Sequence, residues 1–259
     1  MPELPELEIF RGNLQRHLCG RQVEGVAVYR EKKVSASAEA LGNHLIGTTL
    51  DAVERDGKEM FFRFSNGRTL GAHLMLKGAF DVVTDEAAAK YKVLTVRMAG
   101  GPVFVVADPQ GLASVTLDPP RSSTPDALSP DFTPEYLQRK LRISGSSVAK
   151  AFLIDQDRVR GIGNAYSDEI LWHSRISPEA RVDRIPPEAV KALHSAVGTV
   201  LTEAIASIAA LRPDALGGEE RSFLNIHNLD RTTCPNGRPL LIKEVAKKKT
   251  FYTDEQVLY

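Results

Sequence analysis

The sequence predicts an α+β chain of more than one domain: an N-terminal helix and antiparallel β-sandwich, then a helical domain that ends in a β-hairpin. Three observations carry this. Short strand-like runs separated by turn residues fill residues 22–117, a proline- and serine-rich stretch at Asp118–Pro130 interrupts them, and segments with a helical apolar period follow. With 259 residues, 42% of them hydrophobic, the chain is long enough for two ordinary domains and a sizeable core.

Residues Glu6–Leu18 read as a helix, because Leu7, Phe10, Leu14 and Leu18 recur at helical spacing and Cys19-Gly20 supplies a C-terminal cap. From Gln22 the period shortens. Strand-like runs fall at Val23–Tyr29, Thr48–Arg55, Met60–Phe64, Thr69–Leu76, Ala79–Val83, Val93–Met98 and Val103–Ala107, with Asn66-Gly67 and Gly100-Gly101 as hairpin turns. After the linker, helices are expected near Pro134–Lys140, Ser146–Leu153, Asn164–Ser174, Pro187–Leu211 and Glu219–Phe223, two of them opening on a proline in the first turn. The stretch from Cys234 to Thr253 reads as two short strands joined by a cationic turn, with Asn236-Gly237 and the alternation of Leu241, Lys243 and Val245 as its signals. The implied domains are 1–118 for the β-sandwich, 119–133 for the linker, 134–230 for the helical domain and 231–259 for the hairpin.

Composition narrows the function classes. No apolar run in the sequence suggests a membrane span, and the acidic start is the opposite of a secretory leader, so a cytosolic chain with no membrane partner is expected. Cys19 and Cys234 fall in different modules, which argues for reduced thiols. Lys plus Arg and Asp plus Glu both number 33, a balance that argues mildly against nucleic acid as the partner. The distribution is less even: Arg139, Lys140, Arg142, Lys150, Arg158 and Arg160 cluster against only Asp155 and Asp157, and Lys243, Lys247, Lys248 and Lys249 crowd the tail. Such clusters are commonly solvated faces.

The chemistry-bearing stretch is Met1-Pro2-Glu3-Leu4-Pro5-Glu6. Removal of Met1 exposes the secondary amine of Pro2 beside the carboxylate of Glu3. An α-amine titrates near pH 8 and a lysine amine about two units higher, so the terminal amine is the readier nucleophile at neutral pH. A neighbouring acid can protonate the ring oxygen of a sugar that such an amine attacks. An ordinary extended lead-in to a helix is the plainer reading of Pro-x-x-Pro taken alone.

Several motifs in order resemble the formamidopyrimidine-DNA glycosylase / endonuclease VIII family, bifunctional base-excision repair enzymes with a helix–two-turn–helix motif. They are Pro2–Glu6, Gly57-Lys58 before Met60-Phe61-Phe62, His73–Gly78, Asp108-Pro109, and Gly161-Ile162-Gly163-Asn164-Ala165-Tyr166-Ser167-Asp168-Glu169. The resemblance implies a DNA glycosylase with abasic-site lyase activity, acting as a monomer on damaged double- or single-stranded DNA without a cofactor. It implies that Pro2 attacks C1′, that Glu3 assists base departure, that Lys58 and Asn164 bind phosphates, and that His73 is a DNA-binding residue. A flipped nucleotide leaves a void in the duplex, and the family fills it with inserted side chains.

The sequence departs from the family in three places. The inserting positions read Met75 or Leu76, and the loop that ordinarily carries an arginine and a phenylalanine reads Asp108-Pro109-Gln110-Gly111-Leu112-Ala113, which leaves Leu112 as wedge and Gln110 as the candidate for the unpaired base. The terminal four-cysteine zinc finger is reduced to Cys234, so a zincless finger is expected, with Lys248 and Lys249 at the phosphate-gripping turn. The span Arg212–Thr233 is short for a lid loop and Asp157 stands where a lysine is common, which tilts the expected substrate toward oxidised pyrimidines, hydantoins or abasic sites. A DNA-structure binder on the same scaffold is the competing reading, and a binding β-sandwich with a helical appendage is a third.

Overall fold

The computed structural model describes residues 1–259, which form two compact units: Met1–Arg121 with Ile208–Glu219, and Ser122–Ser207 with Glu220–Tyr259. In the first unit α1 (Leu4–Leu18) leads into β1 (Val23–Val28), α2 (Ala38–Leu45), β2 (Leu50–Asp56), β3 (Glu59–Phe64), β4 (Thr69–His73), β5 (Ala79–Val83), β6 (Lys92–Met98), β7 (Val103–Ala107) and β8 (Ser114–Leu117). They build two antiparallel sheets, ordered β1-β6-β7-β5 and β2-β3-β4-β8. Each sheet offers an apolar face, and aromatic packing joins them: Phe62 of β3 lies 4.7 Å from Phe104 of β7 and 5.9 Å from Phe80 of β5, centroid to centroid. Leu7, Phe10, Leu14 and Leu18 of α1 are buried in the same core. The α+β sandwich expected from the alternating runs is therefore present, with Gly67 (φ 83°) and Gly100 (φ 84°) in the turns that Asn66-Gly67 and Gly100-Gly101 announced.

Three local expectations change. Helix α2 carries only one buried apolar pair, Leu41 and Leu45, and includes Gly42; it forms because Ser37 accepts the Ala40 N–H at 3.1 Å as an N-cap. The run expected to extend from Thr69 to Leu76 stops at His73, because Leu74–Gly78 closes a tight turn with the Gly78 N–H on the Leu74 carbonyl at 3.0 Å. The four-residue β8 is too short to announce itself and is held by pairing along β4, from Leu70↔Leu117 to His73↔Ser114.

The stretch Ile208–Glu219 groups with the first unit. Asn13 of α1 donates to the carbonyls of Pro213 and Ala215, both at 2.9 Å, and Gly217 bridges Ala79, so close that an added Cβ would meet the Ala79 Cβ at 2.5 Å.

The second unit contains α3 (Pro134–Ile143), α4 (Ala149–Ile154), α5 (Asn164–His173), most of α6 (Pro187–Leu211) and the hairpin β9 (Leu241–Val245) and β10 (Lys248–Tyr252). Residues Glu219–Phe223 are not helical, which corrects the sequence expectation; a five-residue apolar-poor stretch has too few turns to sustain a helix without tertiary support. Helix α6, with 25 residues, is long and apolar enough to cross a bilayer, contrary to the expectation that no run would be. Its buried Val190, Leu193, Val197, Leu201, Ala204 and Ile208 instead make one stripe at three- and four-residue spacing, the pattern of a core helix. Asn236-Gly237 closes a separate turn, with the Gly237 N–H on the Cys234 carbonyl; the hairpin itself turns at Ala246 and Lys247, both with positive φ (52° and 58°).

Candidate active site

The N-terminus of α1 is built by short-range bonds. Glu3 is the N-cap residue, and its N–H donates to the carboxylate of Glu6, three residues on, at 3.0 Å, as in a capping box. Pro2 and Glu3 are both buried. One turn on, the Glu8 carboxylate takes Arg55 Nε at 3.0 Å, and Arg55 donates onward to the carbonyl of Gly57 at 3.2 Å. The helix that carries Pro2 and Glu3 is thereby latched to the β2–β3 turn that carries Lys58. Burial pushes the Glu8 carboxyl up, but Arg11 and Arg55 outweigh it and hold it below the usual range.

That turn has two residues between the paired Asp56 and Glu59. Gly57 takes a φ of 63°, where an L side chain is strained, and so delivers Lys58 to a buried position. The register continues Glu59↔His73 into β4, which brings His73 under the influence of Lys58. Burial first, and then the Lys58 charge, hold the His73 imidazole below its ordinary value, so the neutral ring accepts the Met75 N–H through Nδ1 at 3.1 Å.

Two loops cross between the sheets side by side. His73 pairs with Ser114 at one end of them and Ala79 with Ala107 at the other, so residues 74–78 and 108–113 are neighbours at one rim of the sandwich. Met75, Leu76 and Leu112 stand exposed there, as does Gln110. The second loop is shaped by Asp108, whose carboxylate accepts the N–H groups of Gln110, Leu112 and Ala113 at 2.8, 2.6 and 2.8 Å. Burial raises the Asp108 carboxyl, but those amides and the nearby charge of Arg30 more than offset it, and the group lies below the usual carboxylate range.

In the second unit the turn 161–163 is clasped by Gln156, which accepts the Gly161 N–H at 3.0 Å and donates to the Ile162 carbonyl at 2.9 Å. Gly161 has a φ of 100°, and Asn164 opens α5 directly after it. The Asn164 amide donates to the carbonyl of Lys249 at 3.0 Å, tying this helix start to the hairpin. Behind both lies a buried ionic cluster: Lys150 Nζ is 2.5 Å from Asp168 Oδ1 and 2.8 Å from the Asn164 carbonyl, with both charged side chains fully buried. Asp168 Oδ2 accepts His227 Nδ1 at 2.6 Å and the Phe251 N–H at 3.1 Å. Lys150 and Arg160, read from sequence as part of a cationic surface cluster, are thus interior residues, whereas Lys248 and Lys249 are exposed. No sequence motif marks Gln156 or His227, and the run Gly161–Glu169 contains Asp168 without any sign of its partners.

The donors at the hairpin do not fit a four-thiolate metal site. Cys234 is buried against Ile226 and Phe251, and where further cysteines would be needed Thr253 donates its N–H to the Gln256 side chain at 2.8 Å.

The family model for the formamidopyrimidine-DNA glycosylase N-terminal domain matches residues 1–115, and that for its H2TH domain matches residues 124–212. The formamidopyrimidine-DNA glycosylase of Enterococcus faecalis is 30% identical over 97% of this chain and 95% of its own. The chain belongs to the formamidopyrimidine-DNA glycosylase family. Among solved structures, the Lactococcus lactis family member bound to abasic-site DNA superposes with a TM-score of 0.86 at 26% identity over 97% of each chain. The same protein bound to DNA containing an oxidized pyrimidine gives a TM-score of 0.86 at 25% identity, over 97% of this chain and 98% of that one. Membership makes the chain a DNA glycosylase of base-excision repair, with damaged DNA as its partner.

Proposed function

We propose that this glycosylase works through Pro2 as nucleophile and Glu3 as proton donor and acceptor, with Lys58 and His73 beside them and Asn164, Lys248 and Lys249 holding phosphates. The observation that carries this reading is the latch from Glu8 through Arg55 to Gly57, which fixes the first turn of α1 against the turn bearing Lys58. Reaction requires loss of Met1, because a proline nitrogen within a peptide bond has no nucleophilic lone pair; in the unprocessed chain the Met1 amine pairs with Glu219. The freed amine attacks C1′, and the bond from C1′ to the base breaks as the base leaves with a proton. Opening of the sugar at O4′, protonated by Glu3, gives the cationic iminium, since the prolyl nitrogen has no second proton to lose. Loss of a proton from C2′ then expels the 3′ phosphate, and water releases the amine.

The substrate class favoured is abasic sites and oxidised pyrimidines. It rests on the short stretch between α6 and the hairpin and on exposed Asp157, whose N–H turns back to Asp155 at 3.0 Å. Borohydride trapping on abasic DNA tests the central assignment: a covalent adduct is expected from the processed protein, and none from Pro2→Gly combined with Glu3→Gln. An undiminished adduct in that double variant would falsify the role of Pro2, and no adduct from the processed protein would leave a DNA-structure binder.

A further inference from the structure

The loop 108–113 carries an exposed Gln110 but no side chain at the next position, where Gly111 sits with a φ of 65°. The space a side chain would take is occupied from elsewhere in the sequence. A Cβ added at Gly111 would lie 2.0 Å from Nη1 of Arg30 and 2.9 Å from its Cζ, so the guanidinium rests directly on the glycine. The backbone brings it there by design of the register. Tyr29 and Arg30 both donate to the Val93 carbonyl, at 3.0 and 3.3 Å, just beyond the end of β1; the neighbouring Tyr91 carbonyl accepts the Asp108 N–H at 2.9 Å, and Lys92 pairs with Ala107. Arg30 is partly exposed and shares this rim with the exposed apolar side chains Met75, Leu76 and Leu112.

We propose that Arg30 reads the base opposite the lesion, its guanidinium replacing in space a side chain that Gly111 does not supply. This rests on the reading, expected from the family resemblance, of Met75, Leu76 and Leu112 as the side chains that enter the duplex. Met75, Leu76 and Leu112 can occupy a vacated position in the base stack but cannot hydrogen-bond the base left without a partner, and the exposed amide of Gln110 pairs one acceptor with its donors rather than presenting a fork of donors alone. A guanidinium offers only donors, in a planar fork. It matches a base edge with two adjacent acceptors, such as O2 and N3 of cytosine or O6 and N7 of guanine, and mismatches adenine, whose edge alternates donor and acceptor. Asp108 holds the loop so that Leu112 and the guanidinium are presented together, through the three amide bonds already described.

The experiment is single-turnover cleavage of four duplexes with an abasic site opposite C, G, A or T, and of the same strand unpaired. In parallel, binding is measured to the four duplexes carrying an uncleavable reduced abasic analogue. The full processed chain should act faster, and bind more tightly, opposite C or G than opposite A, by roughly 5- to 150-fold as one bidentate contact allows. Arg30→Ala should narrow the spread to within about two-fold while leaving the single-stranded rate within about two-fold, since no opposite base exists there. Arg30→Lys, which keeps charge without the fork, should hold affinity yet narrow the spread similarly. Gly111→Ala, which displaces the guanidinium without removing it, should do the same. A spread unchanged in Arg30→Ala overturns the proposal, as does a uniform fall over all four duplexes restored by Arg30→Lys, the behaviour of a phosphate contact. Absence of any cleavage counts against Pro2 as nucleophile, while the binding series still decides on Arg30.

Discussion

In the first unit the groups proposed to react are held by separate small devices: a capping residue three positions away, a glycine turn, and one ion-pair latch from Glu8 through Arg55 to Gly57. In the second unit the groups proposed to grip DNA are held from behind by a fully buried ion pair, Lys150–Asp168, with the partly buried His227 on its outer side, that reaches two separate backbone segments at Asn164 and Phe251. A buried charge is tolerated only while it is paired, so the second arrangement stands or falls as a whole, whereas the first can lose one bond and stay folded. Positioning for chemistry and positioning for grip should therefore separate under mutation.

The largest effect is expected from Asp168→Ala, which strands the Lys150 ammonium in the interior. About 3–5 kcal/mol of stability should be lost in denaturant unfolding, and restored in large part by Lys150→Met with Asp168→Leu. That apolar pair cannot accept the Phe251 N–H, so DNA affinity should stay low even as stability returns. A loss under about 1 kcal/mol for Asp168→Ala would show that the hairpin does not depend on the buried pair. Next comes Arg55→Ala, which opens the latch at a cost of roughly 1.5–3 kcal/mol, the worth of hydrogen bonds to a charged group. Its distinguishing readout is kinetic: adduct formation on abasic DNA should slow by at least about ten-fold with affinity unchanged, since a small misplacement at a reacting centre is costly. Equal falls in rate and affinity would erase the contrast between the units.

The smallest effect is on pH dependence. His73 has a folded value below the ordinary histidine one, so its contribution to stability is complete above about pH 6.5 and declines as pH falls through the folded value. Glu169 in the second unit shifts the other way. Burial raises its carboxyl despite amide donors at His227, Ile226 and Asn225, so keeping it ionised opposes folding at neutral pH and acidification relieves that cost. Thermal unfolding followed from pH 7.5 to 5 should therefore lose part of its downward slope in His73→Gln and steepen in Glu169→Gln. Parallel slopes in both variants would contradict the assigned directions.

The sequence made the local features legible. Alternation and the pairs Asn66-Gly67 and Gly100-Gly101 marked the sandwich, and the apolar stripe marked α6, because each depends on residues near one another in the chain. Elements of four to eight residues, β8 and α2, were not visible, since one pair of buried side chains leaves no period. At the site, Pro2, Glu3, Lys58 and Asn164 stand out through motifs, while Gln156 and His227 do not, because Gln156 bonds only backbone groups and the carboxylate that His227 meets lies 59 positions away. Lys150 looked like one more surface cation; only the tertiary fold encloses it with Asp168. Arg30 was hidden for the same reason, as 81 positions separate it from Gly111.

Cys234 is buried with Ile226 and Phe251, and the hairpin it supports is held by packing and by the Asp168 carboxylate. Oxidants attack exposed thiolates, and a finger built on metal-bound sulfur loses its shape when those are oxidised. Here Lys248 and Lys249, proposed to hold phosphates, are mounted on carbon and carboxylate, so the proposed grip is insulated from the oxidative conditions that generate damaged bases.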